Sequence, residues 1–328
     1  MRARLVAIGA LREWGLLSLV VLLTACATSP QTRQLLDNPP AIPQRVELSE
    51  VPFFPQQEYH CGPAALAGVI NYRGRVVQPD EIARLVYVPE LKGSLQVEIV
   101  AASRRFGLLP VQLDGEIESL LRELAAGNPV FVLQNLSIEA YPLWHYEIVI
   151  GYDFEQRYMI LRSGVNRRIT RSFALFEKTW QRADHWALVL VESDSIPATA
   201  SAGAYLDAVI GLEQVGDPSN AHQAYATSLR RWPDNLLAQI GLGNTAYTLG
   251  EYSNAASAYR EALQIDSDKA EVWNNLAYAL AQLGEHESSL AAIDRALELD
   301  PENPNFRDSR AELEDWNHNP TSLKPGPE

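Results

Sequence analysis

"QQEYHCGPAALAGVI", residues 56–70, sets a cysteine where an irregular, proline-bearing segment turns into an apolar helical pattern. Gly62 and Pro63 suit a first helical turn, where a proline gives up only an N–H that would be unpaired anyway. Leu66, Val69 and Ile70 then recur at helical spacing. Cys61 is thereby predicted at a helix N-terminus, where free N–H groups and the macrodipole favour a thiolate and lower the thiol pKa. Such a nucleophile needs a base. One on the same helix lacks the reach, so it must come from elsewhere in the fold. The alternative for Cys61 is a small buried hydrophobe.

Six histidines are available. His222, His286 and His318 fall in the C-terminal part of the chain and are expected in solvent. His60 adjoins the cysteine, so its side chain should diverge from the thiol, and His185 precedes the last strand-like run. His145 opens "HYEIVIGYD", an apolar strand pattern, where a polar ring can face a cleft. His145 is the candidate base, with a core-edge or capping histidine as the alternative.

The other cysteine bears on the compartment. Arg2, Arg4 and Arg12 precede an uncharged run from Leu16 to Ala25, the pattern of an export signal. The run is short for a membrane span, which needs roughly 20 apolar residues. It ends in "LTAC", Leu23 to Cys26, which resembles the lipobox of bacterial lipoproteins. That resemblance implies a signal peptide over residues 1–25 and a lipidated Cys26 at the mature N-terminus. Acyl chains worth ~0.8 kcal/mol per buried methylene would hold the protein on a membrane. Ala27 after the cysteine implies an outer-membrane lipoprotein of the bacterial cell envelope, facing the periplasm. The alternative is a buried or signal-anchor cysteine. With Cys26 lipidated, Cys61 is an unpaired thiol in an oxidising compartment.

Composition is that of globular material, 47% hydrophobic and 21% charged, with length for two domains. A net charge of −14 excludes a nucleic-acid footprint, which is basic. There is no Gly-x-x-x-x-Gly-Lys-[Ser/Thr] loop, so no ATP site is read. No His/Cys/Asp cluster stands at metal-ligand spacing, and no cofactor is implied.

Residues 26–45 read as a polar, proline-bearing tether. Residues 46–193 begin with helix patterns, "PDEIARLVYVP", "SLQVEIVAASRRFG" and "EIESLLRELAAGNP". Strand patterns follow: "VFVLQNL", "HYEIVIGY", "RYMILRS" and "WALVLVE". Helices first and antiparallel strands after predict an α+β domain. Residues 194–201 read as a linker and 317–328 as a flexible tail.

Residues 202–316 carry a repeat. Gly216, Gly250 and Gly284 are 34 residues apart, as are Ala221, Ala255 and Ser289, then Ser228, Ala262 and Ala296. Pro233, Ser267 and Pro301 close the units, while Tyr225, Tyr259 and Ile293 fill a larger apolar slot. This pattern resembles tetratricopeptide repeats and implies an all-α solenoid of units 202–235, 236–269 and 270–303 plus a capping helix. The first unit departs, with Val209 and Leu212 where that family often has Gly and Tyr. The segment holds nineteen Asp and Glu against seven Lys and Arg. It is therefore expected to fold alone and to take a protein partner on its groove, such as a basic or amphipathic peptide.

"PFFPQQEYHCGPAALAGVI" with "HYEIVIGYD" resembles the C39 and C39-like cysteine peptidases, papain-like enzymes that cleave leader peptides. "GSLQVEIVAASRRFGL" and "LLRELAAGNPVFVLQN" extend the resemblance over roughly residues 48–193. It implies Cys61 as nucleophile, His145 as general base, and a glutamine amide beside the Cys61 N–H as oxyanion donor. The family places that glutamine six residues before the cysteine, which is Pro55 here. Gln56 is the nearer match, with Gln57 the alternative. The family's third member is an Asp on the following strand. If "DFEQ", residues 153–156, makes the turn, Ser163 of "RSGV" stands there, and Asp153 lies too far along the strand. The reading is a membrane-anchored cysteine peptidase acting on a peptide or protein substrate. An inactive peptidase-like scaffold and a thiol acyltransferase are the alternatives.

Overall fold

The computed structural model describes residues 29–56 and 60–318. The signal stretch, the lipidation candidate Cys26, the alternative Gln57 and residues 319–328 lie outside the described residues.

The first domain is built on an antiparallel sheet in the order β4 (Leu109–Gln112), β9 (Ala187–Val191), β5 (Val130–Asn135), β6 (Trp144–Asp153), β7 (Tyr158–Ser163), β8 (Asn166–Ser172). β6 is long enough to serve two partners along one edge. Residues 144–149 pair with β5, and residues 151–153 pair with β1 (Arg45–Glu47). Gly151 permits that second pairing, because a Cβ there would lie 2.1 Å from the Val46 carbonyl oxygen. β8, "NRRITRS", escaped the sequence reading because it is a charged edge strand with mostly exposed side chains, a composition that discourages further pairing.

Helix α1 (Pro30–Asp37) opens the described chain. Helices α2 (Cys61–Tyr72), α3 (Pro79–Val86) and α4 (Gln96–Arg105) follow, and together they pack on one face of the sheet. Leu66, Val69 and Ile70 of α2 are fully buried with Ile148, Ile150 and Leu190 of the sheet. At roughly 1.5–3 kcal/mol for each fully buried aliphatic side chain, this contact fixes α2 across β6. Helices α5 (Ile117–Ala125) and α6 (Phe173–Gln181) cover the other face.

Among the described residues, the α+β domain is followed by seven helices: α7 (Ala202–Gln214), α8 (Pro218–Arg231), α9 (Leu236–Thr248), α10 (Tyr252–Ile265), α11 (Ala270–Gln282), α12 (His286–Leu299) and α13 (Pro304–His318). The periodic glycines turn the chain between paired helices at φ of 79°, 78° and 76°, a region open to glycine at no steric cost. The anomalous first repeat has a physical reason. Val209 and Leu212 are fully buried in the core shared with Leu109, Val111 and Val189 of the sheet, so α7 is shaped to cover the sheet.

That packing corrects three readings. The segment 26–45 is not a free tether from residue 29 onward. Glu177 accepts the backbone N–H groups of Gln31 and Thr32, the Ser29 hydroxyl donates to the Ala174 carbonyl, and Leu35 enters the core. The segment 194–201 is not a loose linker, because buried Glu123 holds its Ala198 and Thr199 amides. Residues 202–316 do not form a separate body, since α7 shares its core with the sheet. Two smaller readings also change. Residues 317 and 318 belong to α13, which runs to His318. His222 is half-buried and its Nδ1 is 3.1 Å from the Thr245 hydroxyl.

Candidate active site

Cys61 is the first residue of α2, with His60 at the N-cap. The His60 ring turns away and meets Tyr87 edge-on at 5.0 Å. Gly62 lets the two-stranded β2–β3 ribbon (Tyr87–Val88 with Gly93–Ser94) lie directly over the start of α2. A Cβ there would approach the Ser94 hydroxyl to 2.9 Å and the Tyr146 ring to 3.3 Å.

A cavity of about 960 Å³ is lined by Cys61, Gln56, Ser94, His145, Tyr146 and Gly164, among others. The first turn of α2 thus opens onto the end of β6. The thiol is approached by the backbone amides of Tyr146, Gly62 and Cys61 itself. The imidazole directs its Nε2 to the Ser163 hydroxyl at 3.2 Å. Thiol and ring share the cavity without a hydrogen bond between them.

Gln56 is fixed from both sides by Gly164, which accepts from the Gln56 backbone N–H and donates its own N–H to Oε1, each at 3.0 Å. The donor settles the orientation of the amide: oxygen towards Gly164, with the nitrogen left as a donor that has no partner among the described residues.

Ser163 lies beside His145, where the family pattern has its Asp. Its hydroxyl also donates to Glu147 Oε1, in a short hydrogen bond. Glu147 went unnoticed in the sequence although a signal was present. It is the one charged residue between His145 and Gly151 in "HYEIVIG", two positions after the histidine and so on the same face of the strand. Its carboxylate is 3.7 Å from His145 Nε2, and its side chain is only 1% exposed.

The electrostatics correct the expectation of a lowered thiol pKa. Burial pushes the Cys61 thiol up, the nearby backbone amides offset part of this, and Glu147 adds to the rise. Burial lowers the His145 imidazole to about 4, helped by the Arg171 guanidinium. Burial also raises the Glu147 carboxyl, opposed by the Ser163 hydrogen bond and Arg171. Desolvation outweighs the helix dipole at this half-buried thiol. At neutral pH both thiol and imidazole rest uncharged.

Fold and site together define a papain-like domain carrying a cysteine at a helix start and a histidine on the facing sheet. Residues 48–187 match the Peptidase_C39 like family, and residues 206–270 and 246–313 match tetratricopeptide repeat families. The chain carries a C39-like peptidase domain followed by tetratricopeptide repeats. Among solved structures, a putative C39-like peptidase from Bacillus anthracis is 18% identical, with a TM-score of 0.40 over 46% of this chain and 98% of that one. The second TPR domain of human RPAP3, in complex with an HSP70 peptide, is 17% identical, with a TM-score of 0.34 over 34% of this chain and 94% of that one. No curated protein matches the chain.

Proposed function

We propose that the protein is a cysteine peptidase of the cell envelope, held to a membrane by lipid on Cys26, whose repeats recruit a protein substrate or partner. The observation that carries the catalytic part is the common cavity of Cys61, His145 and Gln56. The Cys61 sulfur bonds to the substrate carbonyl carbon as its proton passes to His145. The C–N bond breaks as that proton moves to the leaving amine, and water then hydrolyses the thioester. The Gln56 amide nitrogen and the Cys61 N–H serve the oxyanion. Because thiol and imidazole start uncharged, proton transfer accompanies attack and His145 works as a general base.

The compartment belongs to the same proposal. The signal-like start and "LTAC" support export and lipidation, with the outer membrane facing the periplasm as the site. Tetratricopeptide repeats support binding to protein in general; an acidic surface favours a basic or amphipathic segment.

The uncharged thiol favours a second reading, a peptidase-like scaffold that binds substrate without turnover. One experiment separates them. An electrophilic thiol probe and a peptide-library digest are compared for the native chain and for Cys61→Ala. Labelling and cleavage that both vanish in Cys61→Ala support the peptidase. Labelling without cleavage supports the scaffold, and transfer to an added amine in place of hydrolysis supports a thiol acyltransferase.

A further inference from the structure

The Glu147 carboxylate is the least explained group near the cleft. It lies in an apolar strand, its Oε2 has no hydrogen-bond partner among the described residues, and Val132 is its neighbour on β5. Replacing such a buried charge by an apolar residue is often neutral or stabilising. A carboxylate kept only for structure would also have both oxygens satisfied. Glu147 has neither justification.

The Ser163 hydroxyl connects it to the cleft. A serine has one proton to give. Ser163 gives it to Glu147 Oε1, so towards His145 it can only accept. The ring nitrogen facing it, Nε2, must then carry the hydrogen, and Nδ1 keeps the lone pair. We propose that Glu147 is a positioning residue: through Ser163 it holds His145 as the Nε2–H tautomer, leaving Nδ1 as the base for Cys61. This rests on the reading of His145 as base. The charge that the family supplies from the following strand comes here from the histidine's own strand, two residues on.

The other described groups around the pair are engaged differently. Arg171 on β8 acts on both His145 and Glu147 as a charge. The Arg162 guanidinium on β7 is spent on the carbonyls of Ser49, Val51 and Arg167. From α2 the Cys61 thiol shares the cavity, and from β5 Gln134 pairs with His145 in register, accepts from the Thr179 hydroxyl at Oε1, and has its buried Nε2 without a partner among the described residues. When Nδ1 takes the thiol proton, the imidazolium can donate Nε2–H to Ser163, with the carboxylate 3.7 Å away to compensate its charge. An Asp at position 163 would instead set a second carboxylate against Glu147, so that substitution is not expected to improve the site.

The test uses the full chain labelled with ¹⁵N-histidine. The tautomer is read from the imidazole nitrogens, and modification of Cys61 by iodoacetamide is followed on the Cys61 peptide by mass spectrometry. The native chain should show His145 as Nε2–H. In Glu147→Leu, Ser163 loses its acceptor and turns its proton to the ring, so the tautomer should change to Nδ1–H. Cys61 modification should then slow by about tenfold or more, part of the ~10²–10⁴ that a positioned base contributes. Removing an anion that raises the thiol would by itself speed modification, so the direction separates positioning from simple charge. Glu147→Gln retains an acceptor oxygen and should keep the Nε2–H tautomer. Ser163→Ala, which leaves the carboxylate in place, should give mixed tautomers and slower modification. An Nδ1–H tautomer in the native chain, or an unchanged Nε2–H tautomer in both Glu147→Leu and Ser163→Ala, overturns the relay. Should Glu147→Leu not fold, Ser163→Ala alone decides. His145→Ala is the separate control: if it leaves Cys61 modification unchanged, the base reading fails whatever the tautomer result.

Discussion

Glu123 of α5 and Thr199 of the connecting segment are bonded twice, the carboxylate accepting both the Thr199 backbone N–H and its hydroxyl at 2.6 Å. The same carboxylate takes the Ala198 N–H and the Asn128 side-chain amide. A residue of the peptidase domain thus closes the turn into the repeats. Arg231 of α8 completes the junction from the other side through the carbonyls of Pro197 and Ala198.

Glu123→Ala should therefore loosen the junction before it touches the cleft. Hydrogen bonds to a charged acceptor are worth ~1.5–3 kcal/mol each, and several are lost together, so a destabilisation of about 2–4 kcal/mol is expected. Thermal unfolding gives the magnitude, and hydrogen exchange gives the place, with the earliest loss of protection at residues 194–201. Unchanged protection there would mean that α7 packing alone fixes the domains.

The pH behaviour follows from the burial of the site. His145 titrates at about 4 in the fold against an ordinary 6.5, so the unfolded chain binds the proton first as pH falls. Its contribution is complete above pH 6.5 and is lost as pH falls towards 4, about 3 kcal/mol at most. His145→Phe should flatten that part of the stability–pH curve. With its pKa raised, the Cys61 thiol should be alkylated ever faster as pH rises through neutrality. A rate that levels off between pH ~5 and ~8 would indicate a preformed thiolate–imidazolium pair.

Much of this architecture is written locally. The apolar spacing after Cys61, the strand run after His145 and the 34-residue period each depend on nearby residues, and each became the expected element. What failed to show depends on distant partners. "PQTRQLL" is polar, and it is ordered because Glu177, nearly 150 residues on, receives its first amides. Val209 and Leu212 looked like poor repeat residues until β4 and β9 were placed against them. The raised thiol pKa has the same origin: a helix start can be located from sequence, but the desolvation around it depends on distant partners. Glu147 was legible in its spacing from His145, and only the Ser163 hydroxyl between them gave that spacing meaning.

The docking of α1 also sharpens the expected behaviour at the membrane. Ser29 is already bonded to Ala174, so only Ala27 and Thr28 separate it from Cys26. At no more than ~3.3–3.6 Å per residue, Cys26 can reach at most about 10 Å from Ser29. A lipid on Cys26 would thus hold the α6 side of the domain close to the bilayer. The native chain should enter the detergent phase, and Cys26→Ser should abolish this. Acyl-free Cys26 in mature protein, or a mature N-terminus elsewhere, would remove the anchor.

Gly62→Ala offers the most local test of the cleft. Its Cβ would lie 2.9 Å from the Ser94 hydroxyl, 3.0 Å from Ser94 Cβ and 3.3 Å from the Tyr146 ring. Ser94 belongs to a two-residue strand paired with β2, whereas Tyr146 is set in the middle of the sheet's core. The ribbon is the part that can give. It should lift away from α2, opening the roof over Cys61 and exposing the thiol to water. Overpacking of this kind costs roughly 1–3 kcal/mol, a modest loss of stability for the domain. The effect on chemistry should be larger, because the Tyr146 hydroxyl, bonded to the Ser94 carbonyl at 3.1 Å, loses its partner and the cavity loses one wall. Desolvation is the leading cause of the raised thiol pKa, so alkylation near neutral pH should become faster while peptide cleavage falls. Slower alkylation in a folded Gly62→Ala chain would show that the ribbon does not set the solvent exposure of Cys61.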